Sequence, residues 1–326
     1  MIKTAHALPD FSNVLDAAAR IAPHAHATPV LRSRALDAEA GAALHFKAEH
    51  LQRIGAFKFR GACNAVFALD EANAMRGVVT HSSGNHGAAL ALAARLRGIP
   101  CHVVVPDGAV RAKLAAIEHY GAVLHPCAAT IAAREAACAR VQADTGGTVV
   151  HPYTDPQVIA GQGTATLELL TAQPDLDALV VPLGGGGLAA GTALAMRALA
   201  PDCTLFLAEP EGAADGARSF ARGALDHDVV PDTVCDGLRG TLGAINFDLL
   251  RAAQARVLTV DDARTVAALR LLWTRTKQLV EPSSAIALAA VLAHRELFAG
   301  RRVGIVLSGG NVDLDALAPL LARAAG

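Results

Sequence analysis

Charge of either sign is scarce in this sequence. Asp, Glu, Lys and Arg make up 18% of the 326 residues, and the formal net charge at pH 7 is -1. A chain without a positive excess lacks the electrostatic footprint that nucleic-acid phosphates or an anionic membrane surface would require. The composition therefore predicts no nucleic-acid partner, and the apolar share of 52% argues against disorder.

An uninterrupted apolar segment of membrane-spanning length is also missing. The longest uncharged run, residues 178–196, contains Pro182 and four consecutive glycines, which an ordinary lipid-exposed helix does not accommodate. The N-terminal residues include acidic side chains and no apolar core of signal-peptide length. We therefore expect no membrane partner and a cytoplasmic location.

Cysteine occurs six times but never in a C-x-x-C spacing or another paired metal pattern. The positions are Cys63, Cys101, Cys127, Cys138, Cys203 and Cys235. Unpaired spacing predicts buried or incidental thiols in a reducing compartment rather than a disulfide framework.

Short apolar runs alternate with alanine-rich amphipathic stretches along the chain. Strands are predicted over residues 44–47, 77–81, 101–105, 148–151, 179–183, 204–208 and 303–307. Helices are predicted over residues 86–97, 111–120, 130–144, 158–171, 188–199, 262–279, 284–295 and 313–324. Apolar strands that alternate with helices indicate parallel sheets covered on both faces. We predict an α/β fold with two open, twisted, mostly parallel sheets, a large domain (1–75 and 150–326) and a small domain (76–149).

The first segment with chemical character surrounds Lys58. The lysine lies between Phe57 and Phe59, with Gly55 and Gly61 on either side. An apolar setting lowers the pKa of a lysine because the charged form loses its hydration, and the neutral amine attacks an aldehyde to form a Schiff base. The alternative is a lysine whose alkyl stem lies along apolar surface at a helix start.

Small polar side chains follow the strand predicted at 77–81. Ser82, Ser83 and Asn85 precede an alanine-rich helix. Serine and asparagine donors beside helix N–H groups suit an anion such as a substrate carboxylate. Plain capping of the helix by one of these side chains is the alternative, and the two interpretations are compatible.

Two glycine-rich turns follow other buried strands. The first consists of Gly184, Gly185, Gly186 and Gly187, and such a turn lets the backbone wrap around an anion, most naturally a phosphate monoester. A dinucleotide-binding turn is the weaker alternative. The second turn begins at Ser308, whose hydroxyl could face a heteroaromatic ring nitrogen. Three of the four motifs thus fall at strand ends, where open α/β sheets bind ligands.

In this order and at these separations, the four segments resemble the serine racemase and serine/threonine dehydratase family. These are fold-type II pyridoxal-phosphate (PLP) enzymes with a tryptophan synthase β-like fold. The similarity runs from about Thr28 to Asn311. It implies PLP as the cofactor, a small amino-acid substrate and a homodimer.

The resemblance also implies roles for individual residues. Lys58, next to Phe57, would carry PLP as a Schiff base. Asn85 would bind the phenolic oxygen, and Ser308 would face the pyridine nitrogen. The phosphate would be held by Gly184, Gly185, Gly186 and Gly187, and the substrate site would comprise Ser82, Ser83, Asn85, His86, Arg134 and Thr241.

A divalent-cation site is implied in the same way. The segment after the strand at 204–208 resembles the family's Mg²⁺ or Ca²⁺ site, with Glu209, the carbonyl of Ala213 and Asp215 as ligands. Hard oxygen ligands of this kind suit either ion. A solvated acidic loop is the alternative.

The function expected from these residues is β-elimination. Lys58 would act as general base at the α-carbon, and a small hydroxy amino acid such as L-serine, L-threonine or 3-hydroxyaspartate would give a 2-keto acid and ammonia. A 3-hydroxyaspartate would fit if Arg134 meets its second carboxylate. Racemisation of serine or aspartate, alone or together with dehydration, is the main alternative, because Ser83 stands where serine racemases place their second acid/base.

Three further alternatives remain open. A β-replacement enzyme of the cysteine synthase type disagrees with the residues around Lys58 and in the Ser82 loop. A nicotinamide oxidoreductase would use the glycine turn, and a PLP-binding protein without catalysis would use the same cofactor residues.

Overall fold

The computed structural model describes residues 8–109, 111–314, 319 and 321. Within them the strands are β1 Val30–Leu31, β2 Ala43–Lys47, β3 Val78–His81, β4 Cys101–Pro106, β5 Val123–Cys127, β6 Thr148–Val149, β7 Ala178–Pro182, β8 Thr204–Pro210, β9 Arg256–Val260 and β10 Arg302–Val306. The helices are α1 Phe11–Ile21, α2 Arg34–Ala40, α3 Lys58–Phe67, α4 Glu71–Arg76, α5 Asn85–Arg97, α6 Arg111–His119, α7 Ile131–Thr145, α8 Pro156–Ala172, α9 Gly187–Leu199, α10 Asp215–Arg222, α11 Ala244–Ala252, α12 Asp262–Thr276, α13 Pro282–Ala293 and α14 Arg295–Phe298.

The strands form two sheets. The larger has the order β1-β2-β10-β7-β8-β9, and the smaller has the order β5-β4-β3-β6. All neighbouring strands are parallel except the β1–β2 pair. The predicted α/β fold with two mostly parallel sheets and helices is therefore confirmed.

Each of the seven predicted strands is present, but several predicted element ends are wrong by two or three residues. The strand predicted over 148–151 ends at Val149, because Nδ1 of His151 accepts two backbone N–H groups of the following turn. The helix predicted over 262–279 ends at Thr276, because the next residue, Lys277, has a left-handed backbone with φ of +58°. The helix predicted over 313–324 lies mostly outside the described residues.

Apolar side chains cover both faces of the large sheet. One cluster lies between this sheet and α2, α12 and α13, and a second cluster packs α9 and α11 on the other face. A third cluster joins α3 and α5 to the small sheet. The carboxyl ends of the central strands are thereby held in fixed positions. Among the described residues, no helix combines the length and apolar character needed to cross a bilayer.

Helix α3 approaches α8 unusually closely. A Cβ atom on Gly61 would lie 2.7 Å from the carbonyl oxygen of Val158, and one on Gly161 would lie 2.6 Å from the Cα of Gly61. Only glycine permits this separation of the two backbones. The position of the first turn of α3 is therefore coupled to α8.

Candidate active site

Three polar turns lie at the carboxyl ends of β3, β7 and β10. The turn after β10 contacts the segment before α3, since Phe57 donates its backbone N–H to the carbonyl of Ser308 at 3.0 Å. Ala56 also forms an isolated antiparallel bridge with Gly309. The start of α3 is thus adjacent to Ser308, as an active site at the strand ends requires.

Lys58 is the first residue of α3 and points toward the start of α8. Its Nζ donates to the carbonyl of Pro152 at 2.9 Å and lies 5.1 Å from the ring centroid of Phe57. Burial lowers the pKa of Lys58 to about 8, although the charge of Glu281 opposes this change. A substantial fraction of the amine is therefore neutral near physiological pH, as attack on an aldehyde requires.

The loop between β3 and α5 leaves its helix N-terminus without a side-chain cap. Gly84 stands at the cap position, and Ser82 accepts only a long hydrogen bond of 3.4 Å from the Gly84 N–H. The alternative interpretation, in which one of these side chains caps α5, is therefore wrong. The first N–H groups of α5, beside Ser83 and Asn85, remain available to an anion.

His86 lies buried directly behind this loop. Its Nε2 is 3.3 Å from the carbonyl of Val150, and its Nδ1 is buried without a hydrogen-bond partner in the described part of the chain. Burial, followed by the charge of Lys58, holds the pKa of His86 well below its ordinary value. The imidazole is therefore neutral at pH 7.

Asn85 belongs to a hydrogen-bonded group that includes a residue without a predicted role, Glu281. The Nδ2 of Asn85 donates to the two carboxylate oxygens of Glu281 at 3.1 and 3.3 Å, and its Oδ1 accepts from Nδ2 of Asn311 at 2.8 Å. The backbone N–H of Asn311 also donates to Glu281. This arrangement fixes the orientation of the Asn85 amide. In the sequence, the one feature that could have drawn attention to Glu281 is its position as a carboxylate directly before Pro282.

The four glycines after β7 form a cradle that larger residues would fill. A Cβ on Gly184 would lie 2.8 Å from the backbone of Leu238, and one on Gly185 would lie 2.4 Å from Cγ of Tyr153. Gly186 has φ of +91°, and Gly187 begins α9. A glycine turn at a helix N-terminus provides N–H groups and a favourable dipole for a phosphate.

Ser308 is 4% exposed at the end of β10. Its hydroxyl has a long contact of 3.5 Å with the carbonyl of Ser283. Such a contact contributes little, so the hydroxyl can bind a group in the cleft.

A cluster of rings and one guanidinium lies beyond Lys58. The ring of His151 is 5.2 Å from that of His81 and 4.6 Å from that of Tyr153. Thr241 lies beside the Tyr153 hydroxyl and opposes the rise in the Tyr153 pKa that burial causes, and the charge of Arg134 acts on both Tyr153 and His81. Sequence patterns identify Arg134 and Thr241 only through the family resemblance, and they do not identify the three rings.

The two histidines of this cluster are neutral. Burial lowers the pKa of His81, with a further contribution from Arg134, and lowers the pKa of His151 to about 4. Lys58 donates to the carbonyl of Pro152, which stands between His151 and Tyr153 in the chain, so this cluster lies next to the lysine amine. The Nε of Arg134 is buried and has no hydrogen-bond partner among the described residues.

The carboxylates predicted to bind a cation lie side by side at the end of β8. Glu209 accepts the N–H groups of Gly216 and Ala217 at 2.8 and 2.7 Å, and Asp215 accepts that of Leu242 at 2.7 Å. Burial, reinforced by the charge of Asp215, raises the pKa of Glu209 to about 8. Nowhere in the described residues do three His, Cys, Asp or Glu side chains converge on a metal-sized site.

Comparison with known proteins identifies the family. The family described as "Pyridoxal-phosphate dependent enzyme" matches residues 21–309. The chain is 48% identical over 310 residues to a beta-hydroxyaspartate dehydratase from Paracoccus denitrificans, covering 95% of this chain and 98% of that protein. It is 45% identical to a serine racemase from Arabidopsis thaliana, covering 94% and 95% respectively.

A solved structure agrees with these sequence matches. Maize serine racemase superimposes with a TM-score of 0.92 at 43% identity, covering 97% of this chain and 98% of that one. The resemblance inferred from the motifs and the fold-type II architecture are both confirmed. The chain belongs to the pyridoxal-phosphate dependent enzyme family and is an enzyme of the ammonia-lyase or racemase kind.

Proposed function

We propose that this protein dehydrates a 3-hydroxyaspartate to a 2-keto acid and ammonia. The observation that supports this substrate is Arg134, whose buried Nε has no hydrogen-bond partner in the described residues and whose charge reaches Tyr153 and His81. The similarity to a hydroxyaspartate dehydratase supports the same choice.

The residues of the cleft fit PLP. We assign covalent attachment to Lys58, beside Phe57, the phenolic oxygen to Asn85 and the pyridine nitrogen to Ser308. The phosphate is assigned to Gly184, Gly185, Gly186 and Gly187, where a Cβ atom would meet neighbouring atoms. When bound, PLP accepts the electrons released at the α-carbon of the substrate.

The chain's own groups supply binding and proton transfer. We assign the α-carboxylate to Ser82, Ser83, Asn85, His86 and the free N–H groups of α5. The amine of Lys58 would also act as the base that removes the α-proton of the substrate, and its lowered pKa suits that role. Ser308 would hold the pyridine nitrogen with a neutral hydroxyl and would add no negative charge there.

The second carboxylate of the substrate is assigned to Arg134 and Thr241. His81, His86 and His151 have lowered pKa values and carry no charge at pH 7. The guanidinium of Arg134 is therefore the cationic group of this cluster, and Arg134 can bind a carboxylate with two parallel hydrogen bonds.

We predict that Arg134→Gln lowers kcat/KM for 3-hydroxyaspartate about 20-fold, which is the loss expected for a charged hydrogen bond. Turnover of L-serine should change little, because L-serine has no second carboxylate. Ammonia and keto-acid formation should be measured for both substrates. The matched control is Arg140→Gln, on the exposed face of the same helix α7. An equal loss for both substrates, or no loss for either, would contradict the assignment.

Racemisation is the second candidate function. It is supported by the similarity to the serine racemases of Arabidopsis thaliana and maize, and by Ser83 on the substrate loop. Incubation with L-serine, D-serine, L-threonine and the hydroxyaspartates, followed by chiral analysis, separates the two activities. Inversion without keto acid from any substrate would exclude dehydration as the function.

We also propose Glu209, the carbonyl of Ala213 and Asp215 as ligands of Mg²⁺ or Ca²⁺. Two adjacent buried carboxylates with raised pKa values repel each other, and a hard cation would relieve that repulsion.

Adding the cation at about 100 times its Kd should raise the Tm of the wild type by about 5 °C. Protons compete for Glu209, so the rise should shrink as the pH falls from 8.5 to 6.5. Glu209→Gln should abolish the rise, whereas Glu211→Gln, an exposed neighbour, should retain it. A rise that Glu209→Gln does not affect would exclude this site.

Three broader expectations remain proposals. We propose a large domain over residues 1–75 and 150–326 and a small domain over 76–149, consistent with the span of the small sheet. We further propose a homodimer in the cytoplasm, without nucleic-acid or membrane partners. Sedimentation of the purified protein at the monomer mass would exclude the dimer.

A further inference from the structure

Four ionisable side chains, one of them from α3 itself, lie together on the side of α3 that faces away from the cleft. Arg60 and Lys47 have side chains that are 1% exposed, Glu49 is fully buried, and Glu168 is 31% exposed. Two positive and two negative groups make the cluster neutral as a whole. We call these four residues the α3 anchor.

Arg60 is the centre of the α3 anchor. Its Nε and Nη2 donate to the carboxylate of Glu49 at 2.7 and 2.9 Å, and its Nη1 and Nη2 donate to that of Glu168 at 2.7 and 2.8 Å. Lys47 donates to Glu168 as well. One planar guanidinium thus binds two carboxylates with two hydrogen bonds each, an arrangement that a lysine ammonium cannot reproduce.

The α3 anchor joins the elements that carry the candidate active site. Lys47 ends β2, and its carbonyl accepts the N–H of Leu307, next to Ser308. Glu168 lies on α8, the helix that follows the Pro152 carbonyl bound by Lys58. Arg60 therefore connects α3 to the end of β2, through Glu49, and to α8, through Glu168. These are the two segments that lie next to Ser308 and to the Pro152 carbonyl.

The spacing along α3 places Lys58 and Arg60 on different sides of its first turn. Lys58 is the first residue of the helix and Arg60 is the third, so they are separated by about 200° around the helix axis. The first turn has no side-chain cap at Phe57 to hold it. Contacts made by Arg60 on the interior side therefore act together with the Phe57–Ser308 hydrogen bond and the close packing of Gly61 on α8 in setting where Lys58 projects into the cleft.

Stability alone does not account for such a cluster. Replacing buried ion pairs with well-packed apolar side chains is often neutral or stabilising, because desolvating the charges is costly. What the pairs do provide is a defined geometry with strict distance and angle requirements.

We propose that Arg60 is a positioning residue that fixes the amine of Lys58 in the cleft through Glu49 and Glu168. This inference rests on the proposed role of Lys58 as the residue that binds PLP. It predicts that Arg60→Lys, which keeps the charge but loses the paired hydrogen bonds, displaces α3 and exposes the lysine amine to water.

The test follows PLP attachment to the apoprotein across pH, together with kcat and urea unfolding. In Arg60→Lys the midpoint of attachment should move to higher pH, and the rate at pH 7.5 should fall about 10-fold, because less of the amine is neutral. The kcat per folded, PLP-loaded protein should fall by a similar factor with little change in KM. Arg295→Gln, which removes the exposed Arg295–Glu39 pair, is the matched control.

A folded Arg60→Lys protein with the wild-type pH midpoint and kcat overturns the proposal, even if its stability is reduced. If Arg60→Lys does not fold, Glu168→Gln carries the same test, since Glu168 is partly exposed. Borohydride reduction of the wild type separates the two claims: an adduct away from Lys58 refutes the role of the lysine, whereas an adduct on Lys58 with unchanged variants refutes only the role of Arg60.

Discussion

Replacing Lys58 with alanine should lower turnover of every substrate by at least about 1,000-fold, through loss of both the nucleophile and the general base. The visible absorption of lysine-bound PLP should disappear as well. The expectation follows from one amine that lies at a strand-end cleft, 2.9 Å from the Pro152 carbonyl, with a pKa lowered to about 8 by burial.

The measurement is ammonia release together with the absorption spectrum of the PLP-treated protein. Lys277→Ala is the control, because Lys277 directly follows α12 and its amine donates to the carbonyl of Thr274 in that helix. Retention of the visible band in Lys58→Ala would show that another amine holds the cofactor.

Replacing Gly185 with alanine should weaken PLP binding about 100-fold, the effect of an overpacked contact worth up to about 3 kcal/mol. The new Cβ would lie 2.4 Å from Cγ of Tyr153, so either the ring or the glycine turn must move. A displaced turn no longer directs its N–H groups at the phosphate.

Gly240 offers a closely matched control. It faces the same tyrosine ring, but its Cβ would lie 3.5 Å from Cε1 of Tyr153, an ordinary van der Waals distance. Gly240→Ala should therefore bind PLP nearly as the wild type does. The dissociation constant of PLP should be measured for both variants by absorbance titration. A similar loss of PLP affinity in both would argue against a specific cradle at Gly185.

Sequence patterns predict the interior of this fold better than its edges. The seven strands predicted from apolar runs are all present, whereas β1, β5 and β9, which were not predicted, each lie at an edge of a sheet. Edge strands have one neighbour and tolerate polar residues and proline, as β5 shows with Pro126, so their apolar signal is weak.

Helix α3 is absent from the predicted helices for a different reason, although a helix start at Lys58 is one of the alternatives considered. It begins at Lys58 without a side-chain cap, directly after a turn in which Ile54 has φ of +58°. The residue at its N-cap is Phe57 rather than the usual Ser, Thr, Asp or Asn. The sequence therefore has no capping residue that marks where this helix begins. The chemistry of the lysine was nevertheless predictable from its apolar neighbours.

The contacts that complete the cleft were beyond the reach of local patterns. Glu281 meets Asn85 across 196 residues, and Glu168 meets Arg60 across 108. A carboxylate's role at such separations depends on the packing of whole helices, which periodicity and turn signals do not encode. Motifs at strand ends were predictable because parallel sheets bring those ends together whatever the intervening sequence.

The most direct test is to treat the PLP-loaded protein with borohydride and to map the modified residue by mass spectrometry after digestion. The account predicts a single reduced adduct on the peptide that contains Lys58, formed between Phe57 and Phe59. A protein that stays colourless after incubation with PLP, or an adduct on Lys47 or Lys277, would contradict it.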